Sequence, residues 1–271
     1  MPFVTAPDGT RLFYTDEGEG TAILCLSGLT RTHRDFDPAM SVLEGHRLIR
    51  MDYRGRGQSD WADWKSYTIA QEAQDALQLL DTLGLQDVGL LGTSRGGLIA
   101  MGLGLAARDR LRGVCLNDIG PDLDPVGLTA IKDYLGRNPD FATHGEMAAA
   151  MPGLHPGFTD VPEARWLGEV ANHFDETERG LQINYDPKLR DAVLEGGATP
   201  VDLWPFFDAL AGMPLALLRG ANSDLLAPAT AAEMRRRRPD MLFAEVPGRG
   251  HVPFLDEPDS AFILQTWAAM L

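Results

Sequence analysis

Apolar residues fall in short runs, and the runs alternate with segments of helical period. Residues 22–26, 47–51, 88–91, 111–116, 215–218 and 242–246 are strand-length and mostly apolar. That is the pattern of strands covered on both faces. Residues 3–5 and 11–14 flank Pro7-Asp8-Gly9, the turn chemistry of an N-terminal hairpin. Helical spacing runs over 37–43, over 69–83 with Gly84 closing it, over 97–108, from about 229 to Pro239, and from about 258 onward. Strands that alternate with helices predict an α/β fold: a mostly parallel sheet of eight strands with helices on both faces. Between 121 and 205 the rhythm breaks. Helical segments dominate there, strand candidates are few, and Phe141, Phe158, Trp166, Phe174 and Tyr185 are scattered among Pro, Gly and Met. This predicts a helical cap, 121–205, inserted into a core of 1–120 and 206–271. Such an insertion lies over the carboxyl edge of the sheet, where ligands bind in folds of this type.

Composition narrows the class of partner. A formal charge of −15 opposes nucleic acid and anionic membrane surfaces, and no run approaches the length of a membrane span. The run Arg235–Arg238, followed by Pro239, reads as a helix end whose cations complement the dipole. Cys25 and Cys115 both sit inside apolar runs and read as buried, unpaired thiols. Their spacing suggests neither a metal nor a redox pair, and no cofactor is expected. The N-terminus lacks a basic and apolar leader. The expectation is a cytoplasmic protein, monomeric or homodimeric, that acts on a small molecule.

Candidate chemistry centres on Gly92-Thr93-Ser94-Arg95-Gly96-Gly97, directly after one apolar run and before a helix. A serine on such a strand-to-helix turn is a nucleophile held by backbone strain, with the helix N-terminus behind it. It needs a base. Of six histidines, His251 follows a predicted strand in Pro247-Gly248-Arg249-Gly250-His251, and a loop there points over the sheet edge. The other five, His33, His46, His144, His155 and His173, have no distinctive setting. The base in turn needs an acid. Asp224 follows the strand at 215–218, and Asp118 follows the one at 111–116. Both fit a Ser…Asp…His chain order. Asp224 is the favoured acid and Asp118 the alternative. Oxyanion donors are expected from the backbone N–H of Arg95 and from the loop Ser27-Gly28-Leu29-Thr30, through Leu29.

Assembled, these residues resemble the α/β-hydrolase fold superfamily, in its cap-bearing serine hydrolase branch. Gly92–Gly97 matches the nucleophile elbow. Asp52-Tyr53-Arg54-Gly55-Arg56-Gly57-Gln58-Ser59 is similar to the family's Asp-x-Arg-Gly-x-Gly-x-Ser segment, and Asp224 with Gly250-His251 matches the acid and base. The resemblance covers the chain outside the cap. Where many members carry His-Gly at the oxyanion loop, this chain has Ser27-Gly28. A serine nucleophile argues against aspartyl-ester chemistry. Arg95, beside the nucleophile, is expected to face solvent. The resemblance implies hydrolysis of a small or medium, uncharged ester or lactone through an acyl-enzyme on Ser94. C–C bond hydrolysis of a β-diketone, acyl transfer with the same triad, and a ligand receptor without turnover are the alternatives. Pocket candidates are Ser27, Trp166, Trp204, Phe207 and Val252. A carboxylate subsite would have to come from Arg31, Arg34 or Arg95.

Overall fold

The computed structural model describes residues 2–196 and 201–271. Met1 of the leader reading and residues 197–200 of the predicted insertion lie outside the described residues. Strands β1 (Phe3–Thr5) and β2 (Arg11–Glu17) pair antiparallel around the Pro-Asp-Gly turn, with Phe3 opposite Phe13. There follow β3 (Ala22–Leu26), α1 (Asp37–Val42), β4 (Arg47–Met51), α2 (Ile69–Thr82), β5 (Val88–Thr93), α3 (Arg95–Ala106) and β6 (Leu111–Asn117). Next come α4 (Pro125–Tyr134), α5 (His144–Leu154), α6 (Glu163–His173), β7 (Phe174–Thr177), β8 (Gly180–Ile183) and α7 (Leu189–Gly196). The chain closes with α8 (Trp204–Asp208), β9 (Leu215–Gly220), α9 (Pro228–Arg237), β10 (Leu242–Val246) and α10 (Pro258–Ala268).

Eight strands form one sheet in the order β1-β2-β4-β3-β5-β6-β9-β10. Pairing is parallel from β4 through β10 and antiparallel at β1–β2 and β2–β4. Successive side chains of a strand point to opposite faces, which sorts the apolar runs into two layers. Leu24, Leu90, Leu116 and Leu217 meet Ala76 and Leu79 of α2 and Ile99 and Leu103 of α3. Ile23, Cys25, Leu91, Cys115 and Leu218 meet Ala39 of α1 and Leu264 and Trp267 of α10. Burial on both faces explains why the central runs are continuously apolar rather than alternating.

Between β6 and β9 the chain leaves the sheet. The departure is not purely helical, as the sequence suggested, because β7 and β8 form a two-stranded antiparallel sheet. These strands are short, and Asp175, Glu176 and Thr177 are exposed, so neither carries a strand-like apolar run. Met147, Met151, Trp166, Val170 and Leu181 make a separate apolar cluster in this region, and Phe254 of the core packs on it. No helix among the described residues is long and apolar enough to cross a membrane.

Candidate active site

Three strand ends converge on one point of the carboxyl edge. Ser94 sits between β5 and α3 at φ +50°, ψ −112°, a conformation that L side chains rarely adopt. The turn is tight enough that a Cβ on Gly96 would lie 1.9 Å from the Leu26 carbonyl oxygen. Ser94 Oγ is 2.9 Å from His251 Nε2. His251 Nδ1 is 2.7 Å from Asp118 Oδ2. With Nδ1–H donated to the carboxylate, Nε2 is left as the acceptor for the serine hydroxyl.

The imidazole's carboxylate partner is therefore Asp118, at the end of β6, and not the favoured Asp224. The reason lies in the turn after β9. Ser223 folds back, its N–H donating to the Gly220 carbonyl, and its hydroxyl donates to Asp118 Oδ2 at 2.6 Å. Asp224 is carried outward and is exposed, and its side chain makes no hydrogen bond among the described residues. Asp118 is fully buried, has φ +54°, and also accepts the Gly220 N–H at 2.8 Å. Its neighbour Asn117 donates to Thr93 Oγ1 and to the Pro253 carbonyl, both at 3.2 Å. That contact ties the histidine loop to the sheet.

The loop after β3 faces the serine. The Ser27 carbonyl accepts the Gly96 N–H at 3.0 Å and the Tyr53 hydroxyl at 3.1 Å, and the Ser27 hydroxyl donates to the Arg31 carbonyl at 3.2 Å. Ser27 is thus a loop anchor rather than a pocket wall. Among the described residues, no protein acceptor takes the N–H of Leu29 or of Arg95.

Arg95 does not face solvent. Its Nε donates to Glu72 Oε2 at 2.5 Å and its Nη2 to the Tyr67 carbonyl at 3.0 Å. Glu72, on α2, also faces Arg56 Nη2 at 2.9 Å with both side chains fully buried, and Arg56 Nε donates to the Leu29 carbonyl at 3.0 Å. One buried carboxylate therefore links the residue after Ser94 to the loop opposite it. Sequence reasoning passed over Glu72. The available signal was a carboxylate on the apolar stripe of α2, a position that requires a cationic partner.

A cleft opens beside His251. Val252, Phe254 and Trp166 line it, as do Met151, His155 and Phe158. Trp166 and Val252, two of the pocket candidates, are thus among the residues lining the cleft. Trp204 and Phe207 do not line the cleft. They stand on α8, edge to face with centroids 6.0 Å apart, in the core layer that also holds α3, and Arg237 stacks on Trp204 at 4.0 Å. Aromatic character signalled burial at these positions but not which face they occupy.

The far wall of the cleft is charged. Arg31, from the loop after β3, and Asp35, in a 3-10 turn, meet Glu169 and His173 of α6. His173 Nε2 contacts Asp35 Oδ1 at 2.8 Å, and Arg31 Nη1 touches the same imidazole. Burial, and then the Arg31 charge, push the His173 pKa down, so the ring is neutral. A neutral ring that donates to Asp35 through Nε2 presents Nδ1 as an acceptor. Burial, reinforced by Asp35, raises Glu169 from the usual carboxylate range to about 7. The signal for this cluster was the spacing of Arg165, Glu169 and His173, four residues apart on one helical face.

Residues 23–263 match the family described as "Alpha/beta hydrolase family". A 3-hydroxybutyrate-oligomer hydrolase from Cupriavidus necator is 36% identical over 259 residues, covering 90% of this chain and 86% of the relative. A 2-(acetamidomethylene)succinate hydrolase from Mesorhizobium japonicum is 25% identical, with 87% and 83% covered. Among solved structures, an alpha/beta hydrolase from Novosphingobium aromaticivorans superposes with a TM-score of 0.92 at 37% identity, covering 100% of this chain and 98% of that one. A sheet in this strand order, with a strained serine at its carboxyl edge and matches over nearly its whole length, marks the chain as a member of the alpha/beta hydrolase family.

Proposed function

We propose that the protein hydrolyses a small carboxylic ester through an acyl-enzyme on Ser94, with residues 121–205 acting as a cap over the site. The carrying observation is the hydrogen-bonded chain Ser94 Oγ, His251 Nε2, His251 Nδ1, Asp118 Oδ2, at 2.9 and 2.7 Å. In this reading His251 takes the serine proton as Oγ attacks the ester carbonyl. Asp118 stabilises the imidazolium, and the N–H groups of Leu29 and Arg95 receive the oxyanion. The imidazolium then protonates the leaving alkoxide, and the ester oxygen departs as an alcohol. Water, deprotonated by His251, attacks the acyl-enzyme, and the acid leaves as Ser94 regains its proton. The relative named for hydrolysing 3-hydroxybutyrate oligomers supports an ester as the bond broken. The buried link Arg95–Glu72–Arg56–Leu29 supports the two backbone donors as a matched pair, since it fixes both segments against each other.

The test is a fluorophosphonate probe together with a panel of short-chain esters. The native chain is expected to label at Ser94 and release acid, whereas Ser94→Ala should lose turnover by on the order of 10⁶-fold. Ester hydrolysis that survives Ser94→Ala would end this reading.

A further inference from the structure

Arg31 is the one Lys or Arg side chain among the described residues of the cleft wall. Its stem runs beside the nucleophile. The point where a Cβ on Gly28 would begin is 3.0 Å from Arg31 Cγ and 3.9 Å from Ser94 Cβ. From there the side chain extends along the cleft to α6. Its guanidinium is only loosely held. Asp35 and Glu169 stand at 3.9 and 4.0 Å, outside hydrogen-bond reach. Among the described residues, its one side-chain hydrogen-bond neighbour is the His173 ring at Nη1, and Nε and Nη2 have none. The contrast within the same protein is sharp. Arg54 is closed by Asp75 through two bonds of 2.6 and 2.7 Å, and Arg95 is closed by Glu72.

A planar guanidinium with two adjacent free donors is built for a carboxylate, which it grips with both oxygens. We propose that Arg31 is a carboxylate subsite, and that the substrate is an ester carrying a free carboxylate a short carbon chain away from the bond cleaved. This inference rests on Ser94 as the nucleophile. It replaces the sequence expectation of an uncharged substrate. Around the subsite, His173 is neutral and its ring nitrogens touch Arg31 Nη1, Asp35 gives Oδ1 to His173 and keeps Oδ2 3.9 Å from Arg31 Nε, and Glu169 holds its proton up to about pH 7. In that state Glu169 adds a hydroxyl donor beside the guanidinium rather than a competing charge.

The carboxylate can sit on the acyl side or on the alcohol side of the ester, and two matched pairs separate the cases. One pair is monoethyl glutarate and its primary-amide counterpart. The other is 3-acetoxybutanoate and its primary amide. The native enzyme is expected to favour the carboxylate member of at least one pair by roughly tenfold to a hundredfold in kcat/KM, mainly through KM. Arg31→Ala should erase that ratio, and Arg31→Lys, a point charge without the fork, should restore part of it. Exposed Arg34→Ala should keep it. A native enzyme indifferent to charge in both pairs, or an Arg31→Ala enzyme with the ratio intact, overturns the proposal.

Calorimetric titration of glutarate reads the subsite without chemistry. Ser94→Ala should bind it and Ser94→Ala/Arg31→Ala should not, and equal binding overturns the proposal. Turnover of the neutral amides reports on the hydrolase reading alone, so the two failures stay distinguishable. Melting curves of each variant establish that it is folded.

Discussion

Asp118 receives three donors at once: the Gly220 N–H, the Ser223 hydroxyl and the His251 Nδ1–H. Its carboxylate fixes the imidazole's tautomer and direction, so an amide there has the wrong donors for the task. Asp118→Asn is expected to lower kcat by about 10³–10⁴-fold with little change in KM. Asp224→Asn should leave kcat near that of the native chain. Steady-state kinetics on one ester decides between them, and reversed outcomes would move the acid to Asp224. From the sequence the two positions look alike, since each aspartate follows an apolar strand and precedes the histidine in the chain. What separates them is a three-dimensional fact, the turn at Ser223, which spends its hydroxyl on Asp118 and sends the next residue outward. Ser94 and its neighbour His251 were legible as a pair because strain and loop glycines leave a local signature. The acid leaves none.

The junction of β5 and α3 shows how an element positions chemistry. Gly96 is pressed against the Leu26 carbonyl, whereas a Cβ on Gly102, six residues along α3, would meet nothing within 4 Å. Two alanine substitutions on the same helix should therefore act in opposite senses. Gly96→Ala must push β3 and α3 apart and is expected to cost at least about 2 kcal/mol. Gly102→Ala sheds unfolded-state entropy and should gain about 0.5–1 kcal/mol. Chemical denaturation of both variants measures this, and a destabilised Gly102→Ala would contradict the open space around it. The central strands of the main sheet were readable because burial on both faces leaves unbroken apolar runs. The β7–β8 hairpin was not, because its strands are four residues each and one is largely exposed. Trp204 and Phe207 illustrate a related blindness. Their size announced that they pack, and only the path of α8 against α3 settles on what.

At the scale of the whole molecule, the segment between β6 and β9 is stitched to the core on both sides of the cleft. Asn222 donates to the Gly157 carbonyl, the Thr159 N–H donates to the Gly248 carbonyl, and α6 brings Glu169 and His173 to Arg31 and Asp35. Glu169 makes that second seam sensitive to pH. Its folded-state value of about 7 lies above the 4.5 of a solvated glutamate. The folded chain therefore keeps a proton that the unfolded chain releases, and stability from this group falls as pH rises from about 4.5 to 7 and levels off above. Melting temperature against pH should decline less steeply over that window in Glu169→Gln than in the native chain. Identical slopes would place the carboxyl in an ordinary aqueous setting. The order of parts along the chain has a further consequence. Leu29, Ser94, Arg95 and Asp118 all precede the inserted segment, and only His251 follows it. During synthesis Ser94, its strained turn and the loop after β3 can assemble while His251 is still untranslated. Under the proposed mechanism the growing chain then carries an inert serine, and it becomes a catalyst only when β10 docks beside β9 and the residues after it deliver the imidazole and close the cleft.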